Sequence, residues 1–237
     1  MKSTQDWSRL GGVLIIGFAL AATLLVLVPR LLGVAAGPEV EIITALKSTE
    51  RQGLELTIPG AGAKLVAKEH HFARITVNVE PGGQRAVAWA TLDFTGRLGR
   101  TEVGSLGVER VPFVLRGRTW EPEGLTAPRL AQVVGRLEAR RRALEAGDRK
   151  ALEALRAPES VSDGGGEAEE VERVLTLQRR RYQAEAWYLR LERDEVVASE
   201  TWRLEGVLPS RPVDERGQRR LSLIRSGEEF LFSPGLM

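Results

Sequence analysis

Val87-Ala88-Trp89-Ala90-Thr91-Leu92-Asp93-Phe94-Thr95-Gly96 lies over Val197-Ala198-Ser199-Glu200-Thr201-Trp202-Arg203-Leu204-Glu205-Gly206 without a gap, at an offset of 110 residues. Both stretches alternate apolar and polar residues with the period of two that marks a strand with one buried face. At the same offset, Val111-Pro112-Phe113-Val114 meets Leu221-Ser222-Leu223-Ile224, Gly117 meets Gly227, and Trp120 meets Phe230. One residue of slippage then brings Gly124-Leu125 onto Gly235-Leu236. Upstream, Ile75, Val77 and Val79 match Trp187, Leu189 and Leu191 at an offset of 112, which gives the first copy a longer turn at Pro81-Gly82-Gly83. Strand, turn, strand, glycine, strand, glycine and aromatic recur in one order with nearly constant spacing, which is the signature of an internal duplication.

The elements before the strands are helical. In the first copy Pro38 opens a helix with Val40, Ile43 and Leu46, and a shorter, less periodic stretch follows over 54–72. In the second, Thr126 is placed to cap a helix with Pro128 in its first turn and a stripe of Leu130, Val133, Val134, Leu137 and Leu144, closed by Gly147. Asp148 is set to cap a short helix that ends before Pro158. After the loop Ser162-Asp163-Gly164-Gly165-Gly166, a third helix carries Val171, Val174, Leu175 and Tyr182 on one face, and strands follow at about 185–193, 196–205, 218–225 and 228–233.

Helices followed by antiparallel strands, with a closing hairpin of the form Gly-x-x-Trp or Gly-x-x-Phe, resemble the nuclear transport factor 2-like (SnoaL-like) superfamily. The resemblance rests on Val111–Trp120 and Leu221–Phe230 and on the strand pairs before them, and it covers 126–237 more fully than 38–125. It implies an α+β fold of two cone-like domains, 38–125 and 126–237, each with helices packed on a curved antiparallel sheet around a pocket. The superfamily holds isomerases and dehydratases that use an acid–base pair inside the cone, and many members without catalysis. Bitopic members with a short cytoplasmic tail are known as assembly factors of type IV secretion machines, a layout this chain shares apart from its second domain.

The N-terminal region is read separately. Leu10 to Val28 (LGGVLIIGFALAATLLVLV) is 19 residues without a charge, which as a helix spans about 28 Å, close to the hydrocarbon thickness of a bilayer. Trp7 precedes it, and Arg9 and Arg30 bracket it. The run is longer than the apolar region of a cleaved leader, although Val34-Ala35-Ala36 would serve as a cleavage site, and no cysteine follows to carry a lipid. The expectation is a signal anchor: residues 1–9 a short cytoplasmic tail, residues 10–32 a transmembrane helix, and the remaining bulk outside the cytoplasm at the cell membrane. The lipid bilayer is then a partner through Leu10–Val28.

Composition removes several chemistries. The 237-residue chain has no cysteine and two histidines, which excludes thiol catalysis, disulfide staples and zinc sites of the Cys or multiple-His kind. Lys and Arg total 34 against 32 Asp and Glu, and the two copies are each balanced, so no basic face for nucleic acid emerges. The runs Arg140-Arg141-Arg142 and Arg179-Arg180-Arg181 sit among glutamates and read as salt-bridged helix faces. No dinucleotide loop, P-loop or nucleophile elbow is present, so neither a cofactor site nor a metal site is expected.

Two side chains stand out as weak catalytic candidates. Glu200 shares a strand face with Val196, Ala198, Trp202 and Leu204, and a carboxylate among apolar neighbours has the raised pKa a general base needs. The blander expectation pairs it with an arginine such as Arg190 or Arg225. His71 falls in phase with Ala73, Ile75, Val77 and Val79 and thus on the inner face, where a structural hydrogen bond is the commoner role. The first copy has Ala90 where the second has Glu200. Together these readings lead to a single-pass membrane protein that presents its two domains to a protein partner as a non-catalytic interaction or assembly module. The competing expectation is a small-molecule binder or SnoaL-like isomerase or dehydratase with a pocket around Glu200 or His71.

Overall fold

The structure is a computed structural model that describes residues 37–158, 165–209 and 211–233. The chain falls into two compact units, Met1–Val40 and Glu41–Met237. Of the first, Gly37 to Val40 are described, at the opening of α1 (Pro38–Gln52). The expected anchor segment Leu10–Val28 lies outside the described residues. Among the described residues no helix is long and apolar enough to cross a membrane.

The second unit is built on strands. After α1 come β1 (Glu55–Thr57), β2 (Lys64–Val79), β3 (Arg85–Leu98), β4 (Thr101–Arg116) and β5 (Thr119–Pro122). Three helices follow, α2 (Pro128–Ala146), α3 (Arg149–Ala154) and α4 (Gly165–Thr176). The chain then runs through β6 (Gln178–Leu191), β7 (Glu195–Leu208), β8 (Arg211–Ser226) and β9 (Glu229–Ser233). The β3–β4 ladder runs from Arg85↔Val114 to Leu98↔Thr101, and the β7–β8 ladder from Glu195↔Ile224 to Leu208↔Arg211, so the offset of 110 holds at every pair. Trp120 opposite Leu115 is matched by Phe230 opposite Arg225. Gly117 and Gly227 turn these hairpins with φ of +65° and +61°, a left-handed conformation that glycine adopts without strain.

The two halves do not form separate cones, which corrects the expected α+β fold class. All nine strands belong to one mixed sheet in the order β1-β2-β3-β4-β6-β7-β8-β9, with β5 on the far end of β4. The joint is a parallel seam of β4 with β6, from Glu102↔Ala186 to Gly107↔Leu191. Its cause lies in what each half leaves unpaired. β5 covers β4 only over Phe113 to Arg116, so the stretch from Glu102 to Gly107 presents an open row of backbone N–H and C=O groups. The edge of β6 away from β7 is open in the same way, and the two edges satisfy each other. Gly107 makes the approach possible, because a β-carbon there would fall onto the Leu191 carbonyl oxygen.

One core crosses the seam. Ile42 and Leu46 of α1, Phe72, Phe94 and Phe113 of the first half, and Leu130, Val133, Val134 and Leu137 of α2 pack in one buried cluster with Trp187, Leu189, Leu223 and Phe230 of the second half. A smaller cluster joins Leu144, Leu152, Val174, Leu177, Tyr182, Trp202 and Leu204. The buried face of α1 is Ile42 and Leu46 rather than Val40, which is 54% exposed. Tyr182, expected on a helix face, lies on β6, because pairing with β7 begins at Gln178↔Val207 and ends the helix at Thr176.

Irregularities repeat as well. In β2 the register shifts between Ala73 and Thr76, where Arg74 has φ +49°, and in β6 it shifts between Ala184 and Ala186. Each bulge moves the buried face by one residue. His70 and Phe72 point inward before the first, and Tyr182 and Ala184 before the second; Ile75, Val77 and Val79, or Trp187, Leu189 and Leu191, turn inward after it.

Candidate functional site

Glu200 is 2% exposed, in the middle of β7, opposite Arg219 of β8. Its Oε1 accepts a hydrogen bond from Trp187 Nε1 at 3.1 Å, and its Oε2 accepts one from the Tyr182 hydroxyl at 2.8 Å. Arg219 Nε stands 3.1 Å and Arg140 Nη1 3.5 Å from the same Oε2. Each donor follows from the pattern around it: the β6 bulge turns both Tyr182 and Trp187 inward, and Arg140 projects from α2 across the sheet. The Arg219 guanidinium lies over the Trp202 ring at 4.9 Å and the Tyr182 ring at 5.6 Å, and that of Arg140 lies 5.8 Å from Phe232. Gly217 leaves room for Trp202, since a β-carbon there would sit 2.7 Å from the indole. Burial, and then the charge of Glu200, push the Tyr182 phenol far above its usual pKa, which keeps it a donor.

A carboxylate held this way accepts three hydrogen bonds, from Tyr182, Trp187 and Arg140, and has the Arg219 guanidinium beside it as a second cation. It neutralises charge and fixes geometry; accepting a substrate proton would require breaking an ion pair inside the core. The expected pairing with an arginine is present, but with Arg140 and Arg219 rather than Arg190 or Arg225. A signal for this was available. Arg140 interrupts the apolar stripe of α2 between Leu137 and Leu144, and a cation on a buried face demands a buried anion such as Glu200.

The matching place in the first half is apolar. Ala90 is 1% exposed, and its β4 partner is Glu109, also 1% exposed, where the second half has Arg219. Glu109 turns to the start of α2, where its Oε2 and Oε1 accept the backbone N–H groups of Arg129 and Leu130 at 3.0 and 2.8 Å. It supplies the cap expected from Thr126, while Ala127 at the N-cap position makes no side-chain cap bond. Burial pushes the Glu109 carboxyl up to about 7, against the opposing pull of these two hydrogen bonds. The other ends behave as expected: Gly147 closes α2 at φ 75°, and Asp148 caps α3 through Ala151 N–H.

His71 lies on the outer side of β2 with its side chain 61% exposed, 3.3 Å from Glu50. The bulge at Arg74 explains this, because the phase read from Ile75, Val77 and Val79 does not extend upstream across it. His70 is the inward residue, 3.4 Å from Thr49 Oγ1 and edge-on to Phe72, with its pKa lowered by burial. The Arg140–Arg142 run is engaged internally: Arg141 bonds Glu138 and Glu145, and Arg142 bonds Glu138 and the carbonyls of Gly60 and Ala61. Among the described residues no group of three or more acidic or histidine side chains is arranged to hold a metal ion.

Cavities among the described residues include four that lie elsewhere. One of about 320 Å³ sits between the halves near the start of α2, lined by Trp89, Arg110, Arg193 and Phe230 among others. An open groove of about 510 Å³ follows the outer face of the seam past Leu106 and Tyr188. A cleft of about 260 Å³ lies by Arg100, Glu138 and Arg181, and a space of about 20 Å³ by Arg140 and Phe232. Neither Glu200 nor His71 lines any of these four.

No family model and no curated protein matches the chain. Solved structures align with it at low identity and low TM-score. A proposed ketosteroid isomerase from Shewanella frigidimarina aligns at 12% identity and a TM-score of 0.36, over 42% of this chain and 89% of its own. An Ntf2-like protein involved in plasmid conjugation aligns at 8% and 0.32, over 73% and 77%. The Bdellovibrio bacteriovorus protein Bd1075 aligns at 11% and 0.36, over 76% and 90%. The resemblance to nuclear transport factor 2-like proteins stays at the level of these alignments, and nothing about chemistry follows from it.

Proposed function

We propose that the chain is a non-catalytic interaction module of the cell envelope, held at the membrane by Leu10–Val28 and presenting two duplicated nuclear transport factor 2-like halves, 38–125 and 126–237, to a protein partner. The observation that carries this reading is the state of Glu200. The carboxylate in the position of a general base is locked by Tyr182, Trp187, Arg140 and Arg219. Its counterpart is Ala90. An acid–base enzyme of the SnoaL-like kind needs a carboxylate or imidazole facing an open pocket, and neither Glu200 nor His71 lines the four cavities described above. The apolar run and its flanking Lys2 and Arg9 support a tether with the bulk outside the cytoplasm.

The test is complementation of a deletion strain with full-length variants. Replacing the ionic group as a unit (Glu200→Leu with Arg140→Met and Arg219→Met) removes the candidate chemistry without leaving an unpaired buried charge. The expected result is near wild-type function in a cooperatively folded triple variant, and loss of function on Trp120→Ala, which empties a core site. A triple variant that melts like wild type but fails to complement overturns the non-catalytic reading. Retention in membranes through alkaline carbonate washing is expected, and recovery of the intact chain in the wash overturns the tether.

A further inference from the structure

The cavity of about 320 Å³ is made by both halves together. Trp89, Arg110 and Pro112 come from the first, Arg193, Arg225 and Phe230 from the second, and Pro128 and Arg129 from the start of α2. Its walls combine apolar and cationic side chains. Trp89, Pro112, Leu125 and Phe230 supply apolar lining, and four arginines, of which Arg129 is buried, line the cavity with the single carboxylate of Glu228.

Two of the four cations, Arg110 and Arg193, lie exposed, and no described residue forms an ion pair with either. Arg129 donates to the carbonyls of Val108, Glu192 and Arg193, and its guanidinium lies 5.4 Å from the Phe230 ring. Glu109 is occupied by backbone N–H groups. Burial lowers the Arg129 pKa, the charge of Glu109 opposes that shift, and Arg225 and Asp194 act in opposite directions. Arg193 rests over Trp89 at 5.8 Å, and Arg225 reaches Glu228 only at 3.8 Å, on a side chain that is 93% exposed. Arg110 is exposed directly opposite Trp89 on β4, and no described residue forms an ion pair with it. Arg129 and Arg225 thus have acidic neighbours in Glu109, Asp194 and Glu228, while Arg110 and Arg193 present positive charge beside the apolar lining.

We propose that this cavity is the docking site of the partner and takes an acidic peptide segment with an apolar anchor side chain. The inference rests on the interaction-module reading and names the chemistry of its partner. The anchor seats against Trp89, Pro112 and Phe230, and flanking carboxylates pair with Arg110 and Arg193 in the fork geometry that guanidinium offers. The size suits one large side chain and its neighbours. The site exists because the seam brings β3–β4 and the β6–β7 turn together, so neither half alone would carry it.

Fluorescence polarisation with the full-length chain tests it, using a fluorescein-labelled Glu-Leu-Phe-Asp-Glu peptide. Two controls accompany it, the amide counterpart Gln-Leu-Phe-Asn-Gln and the anchorless Glu-Ser-Gly-Asp-Glu. The acidic, anchored peptide is expected to bind saturably and each control at least tenfold more weakly. Arg110→Glu with Arg193→Glu is expected to weaken binding at least tenfold, and Trp89→Ala about fivefold. Arg116→Glu, an exposed arginine outside the cavity, should change nothing. Equal binding of all three peptides, no binding of any, or indifference to the paired charge reversal in a chain that melts like wild type overturns the site. Failure of the site alone is recognised by complementation: if the charge-reversed chain still complements, the module reading stands and its docking surface lies elsewhere.

Discussion

The two half-sheets share their backbone and differ in what they bury. β3–β4 and β7–β8 have the same register pair for pair, and their hairpin glycines and closing aromatics coincide. Yet Ala90 opposite Glu109 in the first becomes Glu200 opposite Arg219 in the second. Both acids act on one helix. Glu109 holds the first turn of α2 through two backbone N–H groups, and Glu200 holds Arg140, eleven residues on and about 16 Å along the axis. The comparison teaches that alternation and turn geometry set the same frame in both half-sheets, while the polar core residues differ between them and each has its own partner.

The largest expected effect breaks the second half. Glu200→Ala leaves Arg140 and Arg219 buried around a missing anion and should cost about 3–5 kcal/mol in chemical denaturation of the full chain. A loss below about 1 kcal/mol would mean that the network is not what holds that half together. The first half should respond to pH instead. The folded pKa of Glu109 is about 7 against an ordinary 4.5, so its contribution is fully present below about pH 4.5 and is lost as pH rises through 7. The fall amounts to about 3 kcal/mol. Glu109→Gln should flatten this part of the stability–pH curve between pH 5 and 8, and an unchanged curve would refute the assignment.

Smaller effects sharpen the comparison at equivalent glycines. Gly107→Ala pushes a β-carbon into the Leu191 backbone at the seam, and Gly217→Ala meets the Trp202 ring at 2.7 Å. Each should cost about 1–3 kcal/mol, and hydrogen exchange should locate the first at β4 and β6 and the second at β7 and β8. The smallest is Tyr182→Phe. It removes one hydrogen bond to Glu200 and should cost about 1 kcal/mol, while the equivalent change at His70 leaves the Glu200 network untouched.

Much of the frame was legible in the residues themselves. Period-two alternation, the ungapped offset and Gly117 with Gly227 locate the hairpins, and Pro128 and Gly147 bound α2. The seam was not, because a parallel pairing between open edges leaves no periodic trace; Gly104 and Gly107 inside a strand were its only hint. The bulge at Arg74 likewise reversed the face expected for His71, since one extra residue breaks phase without altering composition. At the site, Glu200 was found from its strand face. Its true partners required noticing that Arg140 occupies an apolar stripe and that Arg219 sits across the ladder.

The central claim is that the two halves join in one sheet through β4 and β6, and disulfide trapping tests it most directly. The chain has no cysteine, so a pair can be introduced cleanly. Leu106 and Arg190 face each other across the seam, and their side chains are exposed on its outer side. Adjacent strands bring Cα atoms within disulfide range. Leu106→Cys with Arg190→Cys should therefore close an intramolecular disulfide almost completely under mild oxidation. Leu106→Cys with Arg216→Cys, at the equivalent position of the second half and two strands further away, should not. Failure of the first pair to close in a folded chain, or closure of both pairs alike, would contradict the single sheet.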